Sequence, residues 1–225
     1  MLLTTANVRI NFMKSKLEKS KRVYDGIDAG NRTENRKQKL LLSGLEVFGT
    51  DGYGKGTIKS ICVKAKLTER YFYESFKNKE DLLCEVYTLL IEELRREFEE
   101  LIKQPITQPK KLMKIAFSQY FKHLRDDPFR AKVQLFEVLG VSQRVDVHYQ
   151  AAMRIVASEI DKVMCLFFPS AKAKYPDRSI LVCALSGAML QVANEWVLSG
   201  YQQPIEEIAD QLTDVYMAVG QQLFE

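Results

Sequence analysis

Three residues suited to start a helix stand within twenty-two positions of one another: Thr57, Thr68 and Asn78. Thr57 precedes Ile58, Ile61, Cys62 and Ala65, which follow the i, i+3, i+4, i+7 spacing of an amphipathic helix. Thr68 precedes Phe72 and Phe76, with Leu67 placed to staple against Phe72. Asn78 precedes Leu82, Leu83, Val86, Leu90, Leu94, Phe98 and Leu101, and Asp81 follows the cap by three residues as a short version of the capping-box acid. Only Lys66 and Leu67 separate the first two helices. The chain must therefore make two short helices joined by a tight turn, then enter a long one over 79–103.

The rest of the chain is also helical in pattern. Leu40, Leu41, Leu45 and Phe48 recur at helical intervals from about Thr33, and "GTDGYGKG" ends that helix. Further helices are predicted over 110–125, 127–139, 144–168, 177–199 and 204–223, with Pro128, Pro176 and Pro204 near three of the starts. No pair of strands with hairpin chemistry occurs. The expected fold is all-α: a basic flexible arm over 1–31, a three-helix helix-turn-helix unit over 32–80, and a larger helical domain over 81–225.

Charge separates these parts. Residues 1–80 carry 17 Lys/Arg against 9 Asp/Glu, whereas residues 81–225 carry 16 against 20. The basic third suits a polyanion, or else simply solvates an N-terminal tail. Cys62, Cys84, Cys165 and Cys183 form no CxxC pair, and His123 and His148 have no metal spacing, so no metal or cofactor site is expected. Each cysteine reads as a small buried apolar group with a reduced thiol. Ser179 to Asn194 is uncharged but, at sixteen residues, short of the roughly 20 a membrane span needs. The N-terminus is a poor signal peptide and leaves the start open between Met1 and Met13. The expected location is the cytoplasm, in association with the nucleoid.

Tyr71, Phe72 and Tyr73 stand in a row, and a helix cannot turn three neighbours to one surface. At about 100° per residue Phe72 and Phe76 share a seam, Arg70 and Glu74 point away, and the tyrosines take the flanks. A short second helix with a polar, aromatic outer face fits the DNA major groove, about 12 Å wide. Its tyrosine hydroxyls suit phosphate oxygens, and Arg70 suits a guanine edge. Lys79 at the next helix start is unfavourable for the dipole unless an anion lies nearby; Thr57 offers phosphate a similar seat. Taken singly, each residue also fits rim packing or plain solvation.

The stretch "GYGKGTIKSICVKAKLTERYFYESFKNKEDLL" resembles the DNA-binding region of TetR-family transcriptional regulators, the likeness covering residues 34–84. Phe48, Gly52, Tyr53, Thr57, Ile61, Ala65, Tyr73, Phe76 and Lys79 to Leu82 carry it. The resemblance implies phosphate contacts by Tyr73 and Lys79, and base contacts by Thr68, Arg70 and Tyr71. Lys66 replaces a common turn glycine; it adds a cation near the backbone and, if φ is positive there, strain. Glu74 faces outward, where it would repel phosphate or accept from cytosine.

The same resemblance implies a homodimer through helices 177–199 and 204–223, a pseudo-palindromic double-stranded DNA operator, and release by a small hydrophobic or aromatic effector. Burial of those two helices within one subunit is the alternative to the dimer. Candidate pocket residues are Phe117, Tyr120, Phe121 and Phe136, with Tyr149, Met153 and Trp196; plain core packing is the alternative for each. The expected function is thus a ligand-responsive repressor. A ligand-independent or protein-gated regulator is the second reading. A helical enzyme is the third, although no catalytic constellation stands in the sequence.

Overall fold

The computed structural model describes residues 29–105, 108–170 and 174–224; the predicted basic arm therefore lies almost wholly outside the described residues. Nine α-helices and no strand occur among the described residues: α1 Ala29–Asp51, α2 Ile58–Ala65, α3 Glu69–Ser75, α4 Lys79–Ile102, α5 Pro109–Asp126, α6 Pro128–Lys132, α7 Gln143–Phe167, α8 Ser179–Leu198 and α9 Ile205–Phe224. The chain is all-α, as its periodicity requires.

The continuous helix expected over 127–139 is instead α6 followed by one π-helical turn, Val133–Glu137. A wider turn rotates the residues after it relative to an α-helix, a geometry common where a side chain must be re-aimed. Here it carries Glu137 to the end of α1. The Glu137 carboxylate accepts from the Tyr53 N–H at 2.6 Å. Gly52, at φ 86°, closes α1, and a Cβ there would come within 3.3 Å of the same carboxylate. Only glycine meets both demands without strain.

Two apolar cores are joined by α4. Leu40, Leu45 and Phe48 of α1, Ile61 and Ala65 of α2, Phe72 of α3 and neighbouring Phe76 bury together with Leu82, Leu83, Val86 and Leu90 of α4. Val133, Val138, Val145 and Ala152 join this first core, which therefore runs past residue 80 into the larger domain. Leu101 at the far end of α4 belongs to the second core, with α5, α7, α8 and α9. In that core α9 lies along α5, and α8 lies along α7.

Three sequence expectations meet the structure here. Ile205, Ile208 and Leu212 of α9 are buried inside the subunit, because α9 turns them onto α5, while Val215 of the same helix stays exposed. Cys62 and Cys84 are buried as expected, but Cys165 of α7 is half-buried, and Cys183 is exposed because α8 is apolar on its outer as well as its inner face. The helix expected over 177–199 is Ser179–Leu198, and, contrary to the reading of its uncharged stretch as too short, it is long and apolar enough to cross a membrane by length and composition alone. Its inner face, Val182, Leu185, Met189, Ala193 and Trp196, is buried in the subunit core.

Gly49 lets α1 and α6 approach closely. A Cβ at that position would lie 2.5 Å from Cβ and 2.7 Å from Cα of Phe129. Overpacking of this kind costs about 1–3 kcal/mol, set against the ~1 kcal/mol that alanine gains over glycine inside a helix. Gly49→Ala is expected to lower the urea midpoint of the whole chain. A raised midpoint would show that α1 and α6 separate freely.

Candidate nucleic-acid interface and interior cavity

The start of α2 is fixed by a reciprocal cap. Thr57 Oγ1 accepts from Ser60 N at 3.0 Å, and Ser60 Oγ accepts from Thr57 N at 3.1 Å. The sequence identifies Thr57 as the cap; its partner Ser60 escapes notice because the usual third-position residue is Glu or Gln. At the other end Lys66 takes the left-handed conformation, φ 56° and ψ 41°, and Leu67 N–H donates to Cys62 O at 2.9 Å. That closure sets the angle between α2 and α3. Lys66 thus occupies the strained glycine-type position, and its side chain is exposed.

Thr68 has the extended backbone of an N-cap, but its hydroxyl makes no capping hydrogen bond. The side chain stays exposed on the outer rim of α3. Phe72 and Phe76 are buried with ring centroids 5.5 Å apart and root the helix. Tyr73 stands edge-on to Phe72 and remains 57% exposed. Tyr71 is half-buried under the Arg36 guanidinium, 4.2 Å above its ring. Glu74 accepts from Arg70 at 3.2 Å and from Arg36 at 3.4 Å. The acid that seemed to oppose phosphate is therefore paired with two arginines, one of them 38 residues away in sequence. The Arg70 side chain is 85% exposed and projects from the face.

At the start of α4 the Asn78 side chain caps Asp81 N at 2.9 Å. Asp81 does not complete a capping box: its carboxylate is too short to return to the cap and instead accepts from Lys77 N at 2.9 Å, while pairing with Arg144 of α7. Burial pushes this carboxyl up, but the Arg144 and Lys77 hydrogen bonds outweigh it and hold it below its ordinary value. Lys79 points partly inward. Its ammonium donates to Tyr53 O at 2.7 Å and Gly56 O at 2.8 Å and lies 4.1 Å above the Tyr53 ring. Burial lowers its pKa. Two of its three donors hold the turn after α1, leaving one for a further acceptor.

A second feature lies in the larger domain. A largely apolar cavity of about 120 Å³ is bounded by α4 (Ile91, Leu94, Arg95, Phe98), α5 (Phe117, Tyr120) and α7 (Ile155, Glu159, Val163). Beside it, Lys111, Lys114 and Lys122 of α5 line a surface groove, and Gln119 borders both. No cluster of three or more His, Cys, Asp or Glu side chains fit for a metal occurs among the described residues.

Residues 40–86, the α1–α4 region just described, match the sequence profile of bacterial regulatory proteins of the tetR family. Residues 40–86 form a helix-turn-helix domain of the TetR-family type. That family is one of transcription regulators and not of enzymes. The fatty acid metabolism regulator protein of Bacillus subtilis is 28% identical over 99 residues, 44% of this chain and 50% of that protein. The chain thus spans about half the length of this curated relative. Among solved structures, the transcriptional regulator FadR of Bacillus subtilis, in complex with stearoyl-CoA, aligns with a TM-score of 0.71 at 18% identity, covering 80% of this chain and 96% of that one. The fatty acid degradation regulator FadR of Bacillus halodurans gives 0.65 at 17% identity, covering 81% and 94%. At these identities the structural likeness shows the TetR fold.

Thr57, Lys66, Thr68, Arg70, Tyr71, Tyr73 and Lys79 fall in or directly beside α2, α3 and the start of α4. Of the seven predicted pocket residues the fold brings only Phe117 and Tyr120 to the cavity wall. Phe121 and Trp196 are buried against each other, centroids 5.3 Å apart, and the indole N–H donates to Gln203 O at 2.8 Å. Phe136 packs against the second core, and Tyr149 and Met153 pack against the first. Aromatic content alone does not distinguish a wall from a core; which face of α5 and α7 each ring occupies decides it.

Lys66 gives a direct test of the turn. The left-handed conformation costs a side-chain-bearing residue about 1–2 kcal/mol, while glycine loses about 0.5–1 kcal/mol more entropy on folding. Lys66→Gly is expected to stabilise the protein by roughly 0.5–1 kcal/mol, and Lys66→Ala to give no such gain. Denaturant midpoints of the two variants check this.

Proposed function

We propose that this TetR-family protein is a homodimeric repressor that binds a pseudo-palindromic DNA operator through α3 and is released by a long-chain acyl thioester. The observation that carries the proposal is the position of α4. Its first half belongs to the core in which the reading helix is rooted, and its second half walls the cavity. At about 120 Å³ the cavity is well below the roughly 300–1,000 Å³ of pockets that hold sizeable ligands. A long chain enters only if the walls part, and α4 is one of the walls. A ligand that binds the widened form better than the closed one shifts the equilibrium by that difference in affinity. The same cavity disfavours the ligand-independent reading.

Two further features support the ligand class. The cavity is apolar and adjoins a lysine-lined groove, which suits a molecule with a hydrocarbon tail and a phosphorylated head. The FadR structure of the same fold holds stearoyl-CoA. The dimer reading draws on the outer face of α8, where Ile180 (85% exposed), Cys183, Ala184, Gly187, Ala188 and Leu198 form an exposed apolar stripe of mostly small residues. A two-fold partner would cover it and set two α3 helices one turn of DNA apart. Action at the nucleoid follows from this reading.

Selection of bound duplexes from a random pool tests the DNA half. Arg70→Ala is expected to relax preference at one position of each half-site and to cost about 1–3 kcal/mol there. Lys79→Ala, which frees the 53–56 turn and removes a cation, is expected to weaken binding to all sequences alike. Uniform loss in both variants would move base reading elsewhere on α3.

Titration of stearoyl-CoA into the operator complex tests the ligand half. Operator affinity is expected to fall on the order of 5–150-fold, the usual range of allosteric coupling. Tight binding of stearoyl-CoA with no change in operator affinity would overturn the release mechanism.

A further inference from the structure

The cavity wall is largely apolar, and two of its side chains carry buried polar atoms without a hydrogen-bond partner. Glu159 of α7 lines the cavity and is only 8% exposed. Its Oε1 accepts from Lys162 at 2.6 Å, but Oε2 is wholly buried and makes no hydrogen bond. Tyr120 of α5 lines the same cavity at 6% exposure, and its hydroxyl is likewise buried with no partner. Buried polar groups in folded proteins are nearly always satisfied, so two orphans on one cavity wall ask for a ligand that satisfies them. Their demands are complementary. A carboxylate oxygen accepts only, so Oε2 needs a donor; a phenol in apolar surroundings stays protonated and needs an acceptor. Burial, followed by the nearby Tyr149 hydroxyl, pushes the Tyr120 pKa up and keeps that proton in place.

The charges around this wall narrow the ligand further. Arg95 also lines the cavity, but its guanidinium already donates to Glu92 through Nε and Nη2 and pairs with Glu99 through Nη1. Glu97 adds a second acid to the lining and faces His123. Lys162 is paired with Glu159 itself. The wall therefore offers carboxylates and no uncommitted cation. A free carboxylate entering here would meet Glu159 as a like charge in a site of low polarity, where such repulsion is strongest. A carbonyl with an N–H on the same molecule would serve both orphans.

We infer that Tyr120 and Glu159 together read the neutral polar junction between an acyl chain and its carrier, and that Glu159 excludes the unconjugated fatty acid. Tyr120 donates to the acyl carbonyl, and Glu159 accepts from an amide N–H of the carrier arm. This rests on the reading of the cavity as an acyl-ligand site and adds the residue that tells a conjugated chain from a free one.

The test uses the full-length protein and three twelve-carbon probes, followed by calorimetry: dodecanoyl-CoA, dodecanamide and dodecanoate. The wild type is expected to bind dodecanoyl-CoA and dodecanamide and to bind dodecanoate at least thirtyfold more weakly than the amide. Glu159→Gln keeps the shape and an acceptor while removing the charge; it is expected to bring dodecanoate within threefold of the amide. Tyr120→Phe is expected to weaken the amide and the thioester three- to tenfold. Equal binding of dodecanoate and dodecanamide by the wild type overturns the inference while leaving the acyl-ligand reading intact, and so does a gap that survives Glu159→Gln. Failure of all three probes to bind the wild type overturns the acyl-ligand reading, and this inference with it.

Discussion

The burial of Phe72 and Phe76 in the core that α1 and α2 share with the first half of α4 holds the rest together. Helix α3 has seven residues, too few to persist by itself, because forming the first turn of a helix is costly and short helices recover little of that cost. Two buried rings supply the missing stability, at about 1.5–3 kcal/mol for each large apolar side chain removed from water. They also set the rotation of α3 about its axis. With Phe72 and Phe76 inward, Arg70 and Tyr73 have no choice but to face out. The outer face is thus a consequence of the core, and its geometry is as firm as the packing beneath it.

That packing is shared with the larger domain. Beyond the common core, polar or close contacts join the two parts: Glu137 with Tyr53 N–H, Lys132 with Thr50 O, and Gly49 against Phe129, while Arg144 holds Asp81 at the start of α4. Lys79 then ties Tyr53 and Gly56 to the start of α4. Force applied at the π-turn or at α7 therefore reaches the turn before α2 and the root of α3 through hydrogen bonds, each contributing about 0.5–1.5 kcal/mol. Losing one or two of them is enough to account for a coupling energy of about 1–3 kcal/mol. No large rearrangement is needed.

The sequence states the local rules openly and hides the distant ones. Thr57, Lys66, Asn78 and the prolines mark element ends because capping and turn chemistry act over three or four residues, and the structure places those ends within a few positions. The π-turn is not legible, since its cause is the Tyr53 N–H some 84 residues before Glu137. Lys79 looks like a free cation because the carbonyls that hold it belong to no side chain. Arg36 leaves no trace as a partner of Tyr71 and Glu74. In the cavity, periodicity shows that α5 and α7 have apolar faces but not which apolar residue meets another helix and which meets a void. Glu159 escapes for a different reason: one acid on an apolar helix face looks like a solvated edge until its burial is known.

The pairing of Glu74 decides whether the outward acid spoils the reading face. An exposed ion pair four residues apart on a helix is worth only about 0.3–0.5 kcal/mol. A guanidinium seated bidentately on a guanine edge gains about 1–3 kcal/mol. Arg70 can therefore leave Glu74 for a base at little cost, and Arg36, 3.4 Å away, stays to balance the acid. Arg36 also caps the Tyr71 ring, so its position does not depend on Glu74 alone. In the proposed complex Glu74 would serve as a rest position for Arg70, limiting the rotamer freedom lost on binding. Paired with Arg70 and Arg36, Glu74 leaves the flank where Tyr73 stands free of uncompensated negative charge.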